Sequence, residues 1–509
     1  MNNKYYITTP IYYVNDVPHI GHAYTTIAAD VIARFKRLSG CEVMFLTGTD
    51  EHGQKVEKSA AKAGLDPQSF TDQTSASFYK LMTVMNISND DFIRTTSSRH
   101  QESVKKFWQR LKDSGNIYLG TYDGWYSVRD EAFYDQTELT AEGKAPTGAD
   151  VEWVSEPSYF FALSKWQDQL LAFYEANPDF IRPLSKRNEV INFVKSGLQD
   201  LSVSRTSFSW GIKVPNDEKH VIYVWLDALI NYISALGYPE DQDGKYQKYW
   251  PADAHIVGKD ILRFHAIYWP AFLMAAGLEL PKSIMAHGWW TNQGQKISKS
   301  IGNVIDPLKL SDEFGVDQVR YFLMREITFG ADGNYSPENL INRVNSELAN
   351  KIGNLLQRTS TLVHKYMAGK VPEINSNQLE QAYNLPILIM AAQMPQSNAI
   401  LMASLEINNV LNNIIILSEQ ANIYIDQQAP WKLALTDINQ TKLVLFVLLE
   451  TLRFIAIMLQ PFTPEAANIM LNQLGIPSSQ RNFAYLNKNY AITSGSELLP
   501  PTAVFPRIG

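Results

Sequence analysis

Cysteine is almost missing from this chain: Cys41 is the only one in 509 residues. One thiol excludes an intrachain disulfide and any zinc site assembled from several cysteines. Long apolar runs are missing too. No uninterrupted stretch reaches the ~18 residues of a membrane span. The strongest candidate, residues 443–459, is broken by Glu450 and Arg453 and reads as a buried helix. The first ten residues, MNNKYYITTP, have neither the apolar core of a secretory signal nor the Arg-rich character of a transit peptide, which points to a cytoplasmic protein. Positive charge is not in excess, with 45 Lys and Arg against 52 Asp and Glu, a net charge of −7. That disfavours nucleic-acid binding through bulk charge and leaves room for a local basic face. Neither repeats nor a low-complexity linker interrupt the chain.

What is present is ordinary globular composition, 45% hydrophobic and 19% charged. At ~150 residues per domain the length suits about three domains. The start reads as a βαβ unit: a strand at 5–8, then a helix over 22–38 with Ile27, Val31, Phe35 and Leu38 on one face, then a buried strand at 43–46. The loop Thr47-Gly48-Thr49-Asp50-Glu51-His52-Gly53 follows at the strand's carboxyl end, where doubly wound sheets bind ligands. Aromatics, glycines and short alternating stretches mark an inserted region with a mixed sheet over 115–215. The α/β pattern then resumes near Val221. From about 340 the pattern is helical, with Ile341, Val344, Leu348, Ile352, Leu355 and Leu356 forming a stripe and Pro430 and Pro461 acting as breakers. The expected division is 1–114 and 216–295 as the two halves of a catalytic domain, 115–215 as the insertion, 296–340 as a connecting α/β segment, and 341–509 as a helical domain.

Two short motifs carry the chemistry. His19-Ile20-Gly21-His22 lies where the first helix begins. Its histidines share one helical face, Gly21 lets a ligand approach the backbone, and a helix N-terminus favours anions. Lys296-Ile297-Ser298-Lys299-Ser300 puts two lysines three apart beside small hydroxyl residues, suited to a loop closing on phosphates. Either alone fits a surface histidine pair or a solvated lysine loop equally well. Their joint occurrence describes a site that activates a carboxylic acid with ATP.

The two motifs resemble the HIGH and KMSKS signatures of class I aminoacyl-tRNA synthetases. TPIYYVNDVPHIGHAYT, FLTGTDEHG, YVWLDALINYI, VGKDILRFHAIYWPA, AHGWW and GQKISKSIGNVIDP, with NSELANKIGNLLQR and YIDQQAPWKLA further on, resemble the methionyl-tRNA synthetase family over essentially the whole chain. The resemblance implies a Rossmann-like doubly wound parallel sheet with an inserted mixed subdomain, then an all-α anticodon-binding domain. It implies an ATP site at His19, Gly21, His22, His287, Gly288, Lys299 and Ser300, with His19, His22, Lys296 and Lys299 stabilising charge on the phosphates. It implies a methionine pocket of Ile11, Tyr13, Trp225, Ala228, Leu229, Tyr232, Ile261 and His265, with Asp50 on the α-amino group. Trp225, Ala228, Leu229 and Tyr232 are spaced as one helix face, which could equally be ordinary core. Asn354 and Arg358, with Pro430 and Trp431, would read the anticodon of initiator and elongator methionine tRNAs. Magnesium would arrive with ATP rather than in a protein cage.

Residues 115–215 hold no cysteine, so the zinc knuckles of many relatives are not expected. The chain ends soon after the helical region, so the dimerising domain of some relatives is not expected either, which favours a monomer. Ile297 stands where methionine is usual, a mild exchange. Three alternatives remain: a class I synthetase for another amino acid, a different nucleotidyl transferase, and a non-catalytic tRNA-binding paralogue.

Overall fold

The computed structural model describes residues 4–15, 17–130, 132–134, 136–297 and 302–509, with the backbone alone at 132, 133 and 296. Seven parallel strands form the central sheet: Lys4–Thr8 (β1), Tyr12–Tyr13 (β2), Glu42–Asp50 (β3), Asp91–Arg94 (β4), Ile181–Arg182 (β5), Ala254–Gly258 (β6) and Ile284–His287 (β7). β3 pairs with β4 on one edge and with β1, then β2, on the other. The order continues from β1 through β6 and β7 to β5. The chain winds outward from β1 through β3 to β4 on one side; on the other it places β5 at the outer edge first, then β6 beside β1, then β7 between β6 and β5. The boundary between β1 and β6 is a switch point, where an open α/β sheet leaves a crevice at its strand ends.

Three details depart from the sequence reading. β3 runs on through Thr47–Asp50 instead of ending at Leu46, because both of its edges are paired there. Gly48 permits this: a Cβ would lie 2.0 Å from the Ile93 carbonyl oxygen on the neighbouring strand. The insertion's sheet is antiparallel, not mixed, with Ile117–Ser127 between Ala132–Tyr134 and Glu152–Phe161, and Leu201–Ser202 beyond. The region 115–215 also contributes β5 to the central sheet.

The helix Ile20–Leu38 (α1) packs on this sheet with most of its length buried. Val224–Leu229 (α2) follows the insertion, and Val316–Arg325 (α3) leads towards the helical region. Members of that region include Asn354–Met367 (α4), Ile407–Gln428 (α5), Ile438–Leu459 (α6) and Pro464–Gln473 (α7), with the helix Pro386–Ala403 packed against α5 and α6. α6 is apolar almost all round and is buried from Leu443 to Leu459. Its Glu450 and Arg453 pair with each other inside. Among the described residues no helix is long and apolar enough to cross a membrane.

A buried ion pair joins these parts. Asp30 on α1 takes a 2.6 Å bond from Arg320 on α3 and two from the Ser88 amide and hydroxyl. Burial alone would raise the Asp30 carboxyl, but Arg320 and Arg34 outweigh it and hold it below the usual range. Arg320 also donates to the carbonyls of Met85, Pro461 and Phe462, so it ties α1 to the end of α6.

Candidate active site

A cavity of about 760 Å³ opens at the carboxyl ends of β1, β3, β6 and β7. That size suits a small-molecule site. One end is built by the N-terminus of α1. The His19 Nδ1 accepts from the Gly21 amide at 3.1 Å, and the His22 Nδ1 accepts from the His19 amide at 3.1 Å. The two imidazoles therefore form a reciprocal capping box on their own helix. Their rings stack with centroids 3.8 Å apart. Because each Nδ1 accepts, each neutral ring carries its proton on Nε2. A Cβ on Gly21 would come within 3.0 Å of the His19 ring, so glycine keeps this approach open.

Beside this end, His287 closes β7 and bonds Thr25 of α1 at 2.7 Å. Its Nδ1 lies 2.8 Å from the Gly288 carbonyl, and the Thr25 hydroxyl that meets Nε2 also lies 3.0 Å from the Gly21 carbonyl. Burial lowers the pKa of His287 and keeps it neutral. Gly288 is required by space: a Cβ would lie 2.3 Å from the Ala331 carbonyl oxygen. Lys259 is held by both oxygens of Asp332, at 2.6 and 2.7 Å, and rests over the Trp289 ring.

The other end is apolar and aromatic. Ala228 and Leu229 from α2, with Ile11, Tyr13 and Ile261, line it. The Trp225 ring stacks on Phe264 at 3.6 Å between centroids. Tyr232 and His265 supply the polar floor. The His265 Nδ1 lies 2.9 Å from the Ile261 carbonyl, so its Nε2 accepts the Tyr232 hydroxyl at 2.7 Å. Burial pushes His265 down to about 4, so the imidazole is neutral at physiological pH. A π-turn over Phe264–Tyr268 carries it, a distortion often found at functional sites. Asp50, the last residue of β3, is buried at the junction of the two ends.

Every methionine-pocket residue named from the sequence lines this one cavity, as do His19, Gly21, His22, His287 and Gly288. Lys299 and Ser300 lie outside the described residues. The Lys296 backbone pairs with Thr291 beside the cavity. The sequence reading missed Phe264, although it precedes His265, and the insertion's Asp130, Tyr134 and Thr147, which reach the cavity mouth. The Tyr134 and Thr147 hydroxyls both donate to Asp130. No local pattern announces that cluster. Among the described residues, no three His, Cys, Asp or Glu side chains converge as metal ligands.

A second surface lies in the helical region. Arg358 on α4 bonds Asp426 on α5 at 2.5 Å and sits 5.9 Å from the Trp431 ring centre. Trp431 is 36% exposed, and Asn354 is exposed one turn before Arg358. Pro430 differs from expectation. It is buried as the first residue of the short helix Pro430–Leu433, where it sets the backbone that carries Trp431.

Comparison with known proteins points to one family. The family model described as tRNA synthetases class I (M) matches residues 5–150 and 145–360, and the anticodon binding domain of methionyl tRNA ligase matches residues 389–509. The chain is 69% identical to the methionine–tRNA ligase of Rickettsia felis, over 100% of this chain and 99% of that protein. It is 51% identical to that of Rhizobium meliloti, over 99% and 98%. The structure of Mycobacterium tuberculosis methionyl-tRNA synthetase in complex with methionyl-adenylate superposes with a TM-score of 0.94 at 46% identity, covering 99% of this chain and 100% of that one. The free-state structure of the same enzyme superposes with a TM-score of 0.88. Motifs, cavity and comparisons converge: the chain belongs to the class I methionyl-tRNA synthetases.

Proposed function

We propose that the cavity joins L-methionine to ATP and then passes the methionyl group to the 3′-terminal adenosine of methionine tRNAs, initiator and elongator. A methionine carboxylate oxygen attacks the α-phosphorus, the α–β phosphoanhydride bond breaks, and magnesium pyrophosphate leaves. The ribose hydroxyl of the terminal adenosine then attacks the methionyl carbonyl, and AMP leaves.

One observation carries the reading: a helix N-terminus bearing two Nε2–H imidazoles shares a cavity with an apolar, sulfur-compatible pocket. Donors aimed at developing phosphate charge are the main catalytic device in nucleotidyl transfer. His19 and His22 would supply two, and Lys296 and Lys299 would add positive charge. The thioether has no strong hydrogen bond to offer, so Trp225, Phe264, Ala228 and Leu229 would select it by shape and sulfur–aromatic contact. With its proton committed to His265, the Tyr232 hydroxyl asks for no acceptor in the substrate. Asp50 would take the α-ammonium. On the helical surface, Trp431 would stack an unpaired anticodon base while Asp426 holds Arg358 ready beside Asn354. All these residues lie on one chain, so a monomer suffices.

The test is ATP–pyrophosphate exchange with each amino acid in turn. Exchange should depend on methionine, and Lys299→Ala should slow it. Dependence on another amino acid overturns the specificity, and no exchange with any overturns the enzyme.

A further inference from the structure

Behind the methionine pocket lies a buried chain of four side chains. Asp227 sits on α2 between Trp225 and Ala228, yet points away from the cavity and is fully buried. His52, two residues past Asp50, reaches it with Nδ1 at 2.6 Å from one carboxylate oxygen. His100, buried on the helix Ser98–Asp113, reaches the other oxygen with Nε2 at 2.7 Å. The Ser234 hydroxyl, two residues past Tyr232, completes the chain at 2.8 Å from the His100 Nδ1.

Donor directions follow. Burial alone would raise the Asp227 carboxyl, but the two imidazoles hold it below its usual range, so it is a carboxylate. A carboxylate only accepts, so His52 Nδ1 and His100 Nε2 carry protons and donate to it, while His100 Nδ1 shares a hydrogen bond with the Ser234 hydroxyl. The carboxylate thus joins the loop after Asp50 to both ends of the pocket segment, at Asp227 and Ser234. None of the four lines the cavity.

We infer that Asp227 is a positioning residue that sets the distance between the two grips on the amino acid. One grip is Asp50, on the α-ammonium; the other is the thioether cradle of Trp225, Ala228, Leu229 and Tyr232. Their separation fixes the side-chain length the site accepts. The inference rests on the methionine-activating reading above. It explains why three ionisable groups are spent where no substrate reaches: hydrogen bonds to a buried charge are short, directional and poorly extensible, so they hold a spacing better than apolar packing alone.

The experiment compares His52→Ala with His52→Asn, whose amide can donate from nearly the place of Nδ1. Methionine- and ethionine-dependent pyrophosphate exchange are measured, with KM for methionine and for ATP. Ethionine is one methylene longer, a difference worth roughly 10–200-fold in discrimination. Cutting the bond to the carboxylate should raise the KM for methionine about tenfold or more. It should lower the preference for methionine over ethionine about tenfold and leave the KM for ATP within twofold. His52→Asn should recover most of both. If His52→Ala does not fold, Ser234→Ala, which frees only the far end, should move the same two quantities in the same direction. An unchanged preference, or equal losses for methionine and ATP, overturns the inference while wild-type exchange with methionine stands. Absence of that wild-type exchange refutes the functional reading instead.

Discussion

Asp317→Asn tests whether the joint between the catalytic and helical regions carries a buried charge. Asp317 lies at the start of α3, and its Oδ2 accepts the Ala466 amide of α7 at 2.6 Å. Burial pushes its pKa from 3.8 up to about 6, against the smaller opposing pull of the Ala466 amide and Arg320. The folded pKa exceeds the unfolded one, so this group's stabilisation is full below about 4 and is lost as pH rises through about 6. Asparagine keeps an acceptor for the Ala466 amide and removes the titration. Its altered hydrogen bonding costs a constant amount at every pH, so the pH dependence of the difference isolates the charge. Linkage over that pKa pair gives about 1.4 kcal/mol between pH 5 and pH 8, with the variant gaining relative to wild type as pH rises. For a cooperative unit of 150–250 residues that is roughly 3–6 °C in melting temperature. Thermal unfolding of both proteins at pH 5, 6, 7 and 8 reads it directly. A melting-temperature difference that stays flat across this range would refute the buried-charge argument, whatever its absolute size.

Tyr232→Phe removes the donor to the buried Nε2 of His265, which costs about 1–3 kcal/mol. Methionine-dependent kcat/KM should fall roughly 5- to 150-fold with the KM for ATP little changed; a loss under twofold contradicts the assigned tautomer. Gly288→Ala forces a methyl onto the Ala331 carbonyl, so the KM for ATP should rise and the melting temperature should drop. A variant with wild-type values for both would show that the Ala331 segment yields at no cost. Trp431→Ala should lower aminoacylation by about 1–3 kcal/mol of tRNA binding and spare pyrophosphate exchange. Equal loss in both assays makes Trp431 a packing residue.

The parts of the site legible in the sequence are those built from neighbours along the chain. His19 and His22 announce their shared face by spacing, and Trp225, Ala228, Leu229 and Tyr232 do the same, although the segment is two short helices, Val224–Leu229 and Asn231–Ser234. Asp50 reads as part of the loop after a strand at 43–46; the strand runs four residues further at that end and closes on Asp50 itself. What stayed hidden depends on tertiary partners. β5 is two residues long and carries no periodicity, so its place in the central sheet is decided wholly by β7. Asp130, Tyr134 and Thr147 reach the cavity only because the antiparallel hairpin folds back over it. Asp30 and Arg320 are 290 positions apart, and neither differs in sequence from a surface residue on an amphipathic helix. Pro430 looked like a partner of Trp431 by adjacency, yet a proline at the first turn of a helix is there for its fixed backbone and turns inward.

Asp30 belongs to a set of buried charges with one physical character. Three buried carboxylates stand one step behind the site: Asp30 on α1, Glu51 beside Asp50, and Asp227 behind the pocket. Glu51 is gripped by Arg94 at 2.7 and 2.9 Å and by the hydroxyls of Thr49 and Thr96. A buried charge with full partners adds little net stability, but removing one partner costs about 3–5 kcal/mol. The energy surface around such a group is therefore steep, and the elements it joins have one arrangement. Each of the three joins different pieces: α1 to α3 and the end of α6, the residue after β3 to the end of β4 and the segment beyond it, and the loop after Asp50 to the pocket segment. A site that must tell methionine from its homologues by a single methylene needs that fixity more than it needs further contacts with substrate. Substitution of these partners should accordingly appear first in stability and in the KM for methionine, and last in the rate of adenylate formation at saturation.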